Sequence, residues 1–156
     1  MTKTKNSLIE SFFDETKLKK KPNKDEVMEE FKNLNKTIMS ITKGNGRIHA
    51  VPIAEDEADS IFEGNRLDTS FYIVFRYSIP DEKKILHWYR NKFTCVSYNE
   101  TFPVWILDLK NDDADLQKFE DKESFHNFIK KMVNKESFLR SLRRAINGKV
   151  NIEDDF

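Results

Sequence analysis

The chain has 156 residues, 38% hydrophobic and 35% charged, with 27 basic and 27 acidic side chains and a formal net charge of zero. That length suits one domain with one core, and the balanced charge argues against a protein that coats nucleic acid, because affinity for phosphates comes from unbalanced Lys and Arg. Glycine occurs only at 44, 46, 64 and 148 and Cys95 is the sole cysteine, which excludes a dinucleotide fingerprint, a phosphate loop, an intramolecular disulfide and a cysteine-based zinc site.

From the N-terminus, Ser7-Leu8-Ile9-Glu10 has the spacing of a capping box, and Leu8, Ile9, Phe12 and Phe13 form one apolar stripe, so a short helix is expected over 7–17. The basic run from Lys17 to Pro22 reads as a linker. Asn23 is the expected cap of a second helix, in which Val27, Phe31, Leu34, Ile38 and Ile41 recur at helical spacing up to about Lys43, with Gly44 as the left-handed stop. The β-branched residues Thr37, Ile38, Ile41 and Thr42 offer a competing strand over 37–42; the helix is the reading adopted.

Residues 47–53 read as extended, with Pro52 suited to an edge strand. Residues 54–69 are acidic and read as loop, with one helical turn before Gly64. Four strands are expected next. Phe71, Ile73, Phe75, Tyr77 and Ile79 alternate with Tyr72, Val74, Arg76 and Ser78, and the turn Pro80-Asp81-Glu82-Lys83 ends that strand. Residues 84–90 and 93–98 alternate around a turn at Asn91-Lys92, and 102–110 set Trp105, Leu107 and Leu109 on one face against Val104, Ile106 and Asp108. Short connections imply an antiparallel meander. Two helices close the chain: Asp121 caps a stripe of Phe125, Phe128, Ile129 and Met132, and Asn134 caps a stripe of Phe138, Leu142, Ala145 and Ile146 that Gly148 ends.

This order predicts the α+β class: a single domain over 1–156 whose antiparallel sheet of four to five strands (47–110) is covered by helices from both ends. Its parts are a helical 1–46, the meander, a helix pair at 120–148 and a loose tail at 149–156. The thirteen Phe side chains suit such a core, offering large area with no hydrogen-bonding requirement. The chain starts without an apolar leader, and no run approaches the roughly 18 apolar residues of a membrane helix, so the cytoplasm is the expected compartment.

Several constellations carry chemistry. Asp108 and Lys110 alternate onto one face of a strand, and with Asp81 upstream they resemble the metal-dependent nucleases of the PD-(D/E)xK type. The resemblance implies that Asp81 and Asp108 hold a divalent cation and Lys110 stabilises the attacked phosphate. Asp-x-Lys is nonetheless common in so charged a chain, and Pro80-Asp81 is an ordinary turn. No two of His49, His87 and His126 have the i, i+4 spacing of a helical metal site. Cys95 and His87 could pair on adjacent strands, but Cys95 sits in an apolar run and reads as a buried, inert thiol.

Arg140, Arg143 and Arg144 fall on one helical face, extended by Lys130, Lys131 and Lys135; such a surface grips phosphates or acidic protein grooves, or is simply solvated. Tyr72, Arg76, Trp88, Arg90, Tyr98 and Trp105 interleave aromatics with arginines across the strands. That pattern can stack unpaired bases, yet it lacks the glycines of an RNA-recognition motif, and exposed Tyr, Trp and Arg are also the types that dominate protein contacts.

The expected function is therefore that of a small bacterial or phage-type protein-binding module, immunity, antitoxin or inhibitor-like, rather than a catalyst. It would need no cofactor, contact another protein through Tyr72, Trp88 and Trp105 or through Arg140, Arg143 and Arg144, and be steered by acidic 55–59 or basic 140–144. The alternatives, ranked lower, are the divalent-metal nuclease built on Asp81, Asp108 and Lys110, and single-stranded nucleic-acid binding through the aromatic sheet face.

Overall fold

Asp25 opens the first described helix. In the computed structural model, which describes residues 25–111 and 115–148, the Asp25 carboxylate accepts the Met28 amide at 2.8 Å at the start of α1 (Glu26–Ile41). The cap is thus Asp25, two residues later than the expected Asn23. The helix expected over 7–17, the basic linker, Asn23 and the tail at 149–156 lie outside the described residues. Val27, Phe31 and Ile38 are buried in α1, whereas Ile41 is exposed. The helix continues through 37–41, so the alternative strand does not form. Gly44 takes a φ of +81° and donates its amide to the Met39 carbonyl at 2.7 Å, closing the helix as its sequence position implies.

β1 (Gly46–Pro52) follows as an edge strand. Residues 55–61 form α2 (Glu55–Ile61) rather than loop, because Ala58 and Phe62 have an apolar surface to cover. β2 (Thr69–Pro80) and β3 (Leu86–Tyr98) form a long hairpin, followed by β4 (Val104–Asp108) and the short β5 (Gln117–Phe119). The five strands run in sequence order, every neighbour antiparallel. α3 (Lys122–Val133) and α4 (Glu136–Asn147) complete an α+β fold. Asp121 caps α3 by accepting the Ser124 amide, as expected. Lys135 stands at the N-cap of α4 with no side-chain capping bond, and Asn134 instead ends α3.

Two expected strands, 84–90 and 93–98, are one. The register of β2 on β3 slips by a residue between Ile73 and Val74: Ile73 faces Thr94, Val74 faces Lys92, and Phe93 is the extra residue of a bulge. The bulge reverses the inside–outside phase of β3, which in a bare sequence looks like a turn. It lets Phe93 join Val96 and Tyr98 in the main core. β5 lies beyond the expected sheet boundary at 110 and carries three residues, too few to show alternation.

The sheet has two unlike faces. Phe71, Ile73, Phe75, Tyr77 and Ile79 point into the main core, where α1, α3 and α4 supply Phe31, Phe125, Ile129 and Phe138. Edge-on aromatic contacts of Phe31 with Phe71 at 6.4 Å and of Phe138 with Phe93 at 5.1 Å tie α1 and α4 to the sheet, and Phe31 with Phe125 at 5.9 Å ties α1 to α3. A Cβ at Gly46 would lie 3.0 Å from the Phe75 ring, so a side chain there would press that ring aside. The second face carries a smaller cluster of Ile53, Ala58, Phe62, Tyr72, Val74 and Cys95 under α2. Beyond α2 no helix among the described residues covers that face. No described helix is long and apolar enough to cross a membrane.

Candidate functional site

The part of the second face that no described helix covers is built by register. Arg76 of β2 stands directly opposite Arg47 of β1 on one side and Arg90 of β3 on the other, so three arginines form a row across three adjacent strands. Like charges directly opposite one another on a sheet are destabilising. No carboxylate among the described residues forms an ion pair with any of the three. The Arg76 Nε is buried and makes no hydrogen bond. In the next row, His49, Val74 and Lys92 stand side by side. The His49 pKa is lowered by burial and then by the positive charges of Arg90, Arg76 and Arg47. The imidazole thus responds to the same field an arriving anion would meet.

Aromatic groups border the row. The Arg76 guanidinium carbon lies 4.2 Å from the centroid of the Trp88 ring, and the Lys92 ammonium 4.1 Å from that of Tyr72. Trp88 is 50% exposed and Tyr72 8%. The Tyr72 hydroxyl donates to Glu57 of α2; burial and that bond push its pKa up to about 12. The face is therefore bipolar: the arginine row at one end, and at the other α2, whose first turn carries Glu55, Asp56 and Glu57.

The remaining residues singled out in the sequence fall elsewhere. Trp105 is half-buried in the smaller cluster, with Lys118 over its ring. Tyr98 is on the opposite face from Trp88, packed at 5.9 Å on Phe71 with its hydroxyl donating to Asp25. Arg140, Arg143 and Arg144 lie on α4, whose Phe138 and Ala145 pack into the main core, so they do not join the Trp88 face. Arg143 pairs with Glu136.

The structure does not bring Asp81 and Asp108 together. Asp81 is exposed at the β2–β3 turn, where it accepts the Lys83 and Ile85 amides and pairs with His87 at 2.9 Å. Asp108 faces Thr94, eight residues further along β3 than Leu86 at the hairpin end, roughly 25 Å away at strand rise. It is 3% exposed, paired with Lys135 and bonded by the Lys110 amide. The Lys110 backbone, not its ammonium, meets this carboxylate. Among the described residues no group of three or more His, Cys, Asp or Glu is placed to hold a metal ion.

Cys95 and His87 lie on the same strand, not on adjacent ones, and at opposite ends of it. The Cys95 thiol is fully buried, and burial pushes its pKa up to about 12. His126 sits against Glu30, Nδ1 to carboxylate at 2.8 Å.

Sequence reasoning found Arg76, Arg90 and Trp88 and missed Arg47, His49 and Lys92. The missing signal was register. Once β1 pairs antiparallel with β2, Arg47 and Arg76 must meet, whereas the false turn at Asn91-Lys92 hid the row's continuation. No family model, curated protein or solved structure matches the chain.

Proposed function

We propose that the protein is a binding module that captures an acidic surface of another protein on the second sheet face. The row of Arg47, Arg76 and Arg90 carries this reading. Three arginines set opposite one another by strand register, none ion-paired to a carboxylate among the described residues, cost stability in isolation and are matched by an incoming set of carboxylates, with which guanidinium forms short, two-pronged hydrogen bonds. The exposed Trp88 supplies the aromatic anchor such contacts favour. An immunity, antitoxin or inhibitor-like role, in which one protein occupies another through complementary charge, fits this face.

Nucleic acid is the less favoured occupant. A strand of bases needs successive free aromatic faces, but Tyr72 is 8% exposed with Lys92 over its ring, Trp105 is half-buried, and Trp88 alone of the three is exposed. The carboxylates of α2 would also repel a phosphate chain continuing along the sheet, whereas a folded partner can present carboxylates to one end and cations to the other.

The test compares wild type with the double variant Arg76→Glu, Arg90→Glu in affinity capture from the native host, with melting temperature measured alongside. The expected result is a partner lost from the variant while folding is retained. Capture equal in both proteins would overturn the reading, as would tighter binding of an oligothymidine than of any protein.

A further inference from the structure

The sheet has strand sides that no neighbouring strand occupies, and they are treated differently. The outer side of β1 is met by α1, where the Asn35 side-chain oxygen accepts the Ile48 amide at 2.8 Å. β5 is only three residues long. A longer one among the described residues is on β3. β4 pairs with β3 over 94–98, and the Leu109 amide reaches the Phe93 carbonyl at 3.1 Å. Past the bulge, over 86–92, no described strand and no described backbone hydrogen bond meets that side of β3. Alternate residues of a strand paired on one side only turn N–H and C=O groups outward, ready to template another strand.

The side chains along this open edge say what it takes. Ile85, Leu86 and Trp88 are 57%, 54% and 50% exposed, an apolar stretch at the hairpin end. Arg90 and Lys92 follow on the same side of the sheet as Trp88, with Arg76 alongside. Resting on the protein-binding reading above, we infer that residues 86–92 accept an extended acidic segment of a partner protein as an added strand, with carboxylates at every second position facing Arg90 and Lys92. Opposite charges across neighbouring strands stabilise the pairing, and main-chain bonds give affinity while alternate side chains give specificity. A second copy of this chain is the wrong occupant: antiparallel self-pairing would set two three-arginine rows on one continuous face, multiplying the repulsion.

The probes are fluorescent ten-residue peptides alternating Glu and Val, capped at both ends, a Lys and Val counterpart, and two Glu and Val versions N-methylated on one or the other alternate set of amides. Binding is read by anisotropy and by amide hydrogen exchange. The expected result is binding of the Glu peptide, slowed exchange at alternate amides of 86–92, no binding of the Lys peptide, and a loss of about tenfold or more for one N-methylated version only, since only one set of amides faces β3. Binding that both N-methylated peptides retain, or that leaves exchange in 86–92 unchanged, overturns strand addition while leaving docking on the arginine row standing. No binding of the Glu peptide at up to about 1 mM also overturns it, that concentration marking the weak end of measurable affinity. Failure of the charge-reversal capture experiment would instead remove the underlying protein-binding reading.

Discussion

The Arg76 guanidinium rests over the Trp88 ring, 4.2 Å from its centroid, while strand register sets the Arg76 backbone between those of Arg47 and Arg90. Cationic groups opposed across a sheet repel, so on the proposed binding reading the row trades stability for contact chemistry. Replacing Arg90 by Glu should raise stability by about 0.5–1 kcal/mol, the usual worth of a cross-strand charge pair, and weaken partner capture. Chemical denaturation of the two proteins checks the first half. A less stable variant would mean that the row is not under electrostatic strain.

His49 provides a pH reading of the same site. Its pKa is lowered from 6.5, by burial first and then by Arg90, Arg76 and Arg47. The folded protein therefore resists a proton that the unfolded chain accepts. As pH falls through 6.5 toward the folded-state value, stability should decline, levelling off below that value. Carboxylates delivered to the arginine row offset its field and should move the His49 titration upward, toward 6.5. Imidazole chemical shifts followed with and without an acidic peptide make this measurable. An unmoved titration in the bound state would place the ligand elsewhere.

Asp108 is read as structural. Its carboxylate is 3% exposed and ion-paired with Lys135, whose side chain is 41% exposed. Lys135→Met should cost about 1–2 kcal/mol, less than the loss of a partner from a fully enclosed pair because water can reach the ammonium site. Adding Asp108→Asn should recover part of the loss, a coupling that a double-mutant cycle isolates. Partner capture should be unaffected by either change.

Tyr98 and Asp25 give a test from the opposite face. The tyrosine hydroxyl donates to one Asp25 oxygen at 2.6 Å, while the other oxygen caps α1. Tyr98→Phe should cost about 1.5–3 kcal/mol, the worth of a hydrogen bond to a charged acceptor, and Asp25→Ala more, because the helix cap goes as well. Urea midpoints of the two variants decide. Equal midpoints would mean the two oxygens do not act separately.

Much of this fold is legible in the sequence wherever one face of an element must be apolar. The stripe of Val27, Phe31 and Ile38, the alternation from Phe71 to Ile79, and the stripe of Phe125, Ile129 and Met132 all fall on the main core. Failure came where geometry is set by partners rather than by local pattern. The bulge at Phe93 exists because β3 must serve Ile73 and Phe75 in different phases, and residues near one another in sequence do not announce that. α2 was hidden because only Ala58 of its seven residues is buried. The candidate site was half legible for the same reason. Single arginines are visible in a sequence, but a row of three appears only once strands are paired.

Cys95 gives the protein a built-in clock. It is the sole thiol, has no exposed surface, and lies in the cluster that α2 covers. An alkylating reagent reacts with the thiolate, and so can modify it only in molecules that have momentarily opened. Modification at the rate of global unfolding would mean that α2 and the main core move as one unit. Faster modification would mean that α2 swings away alone, uncovering the patch beneath it while the Phe-rich side stays shut.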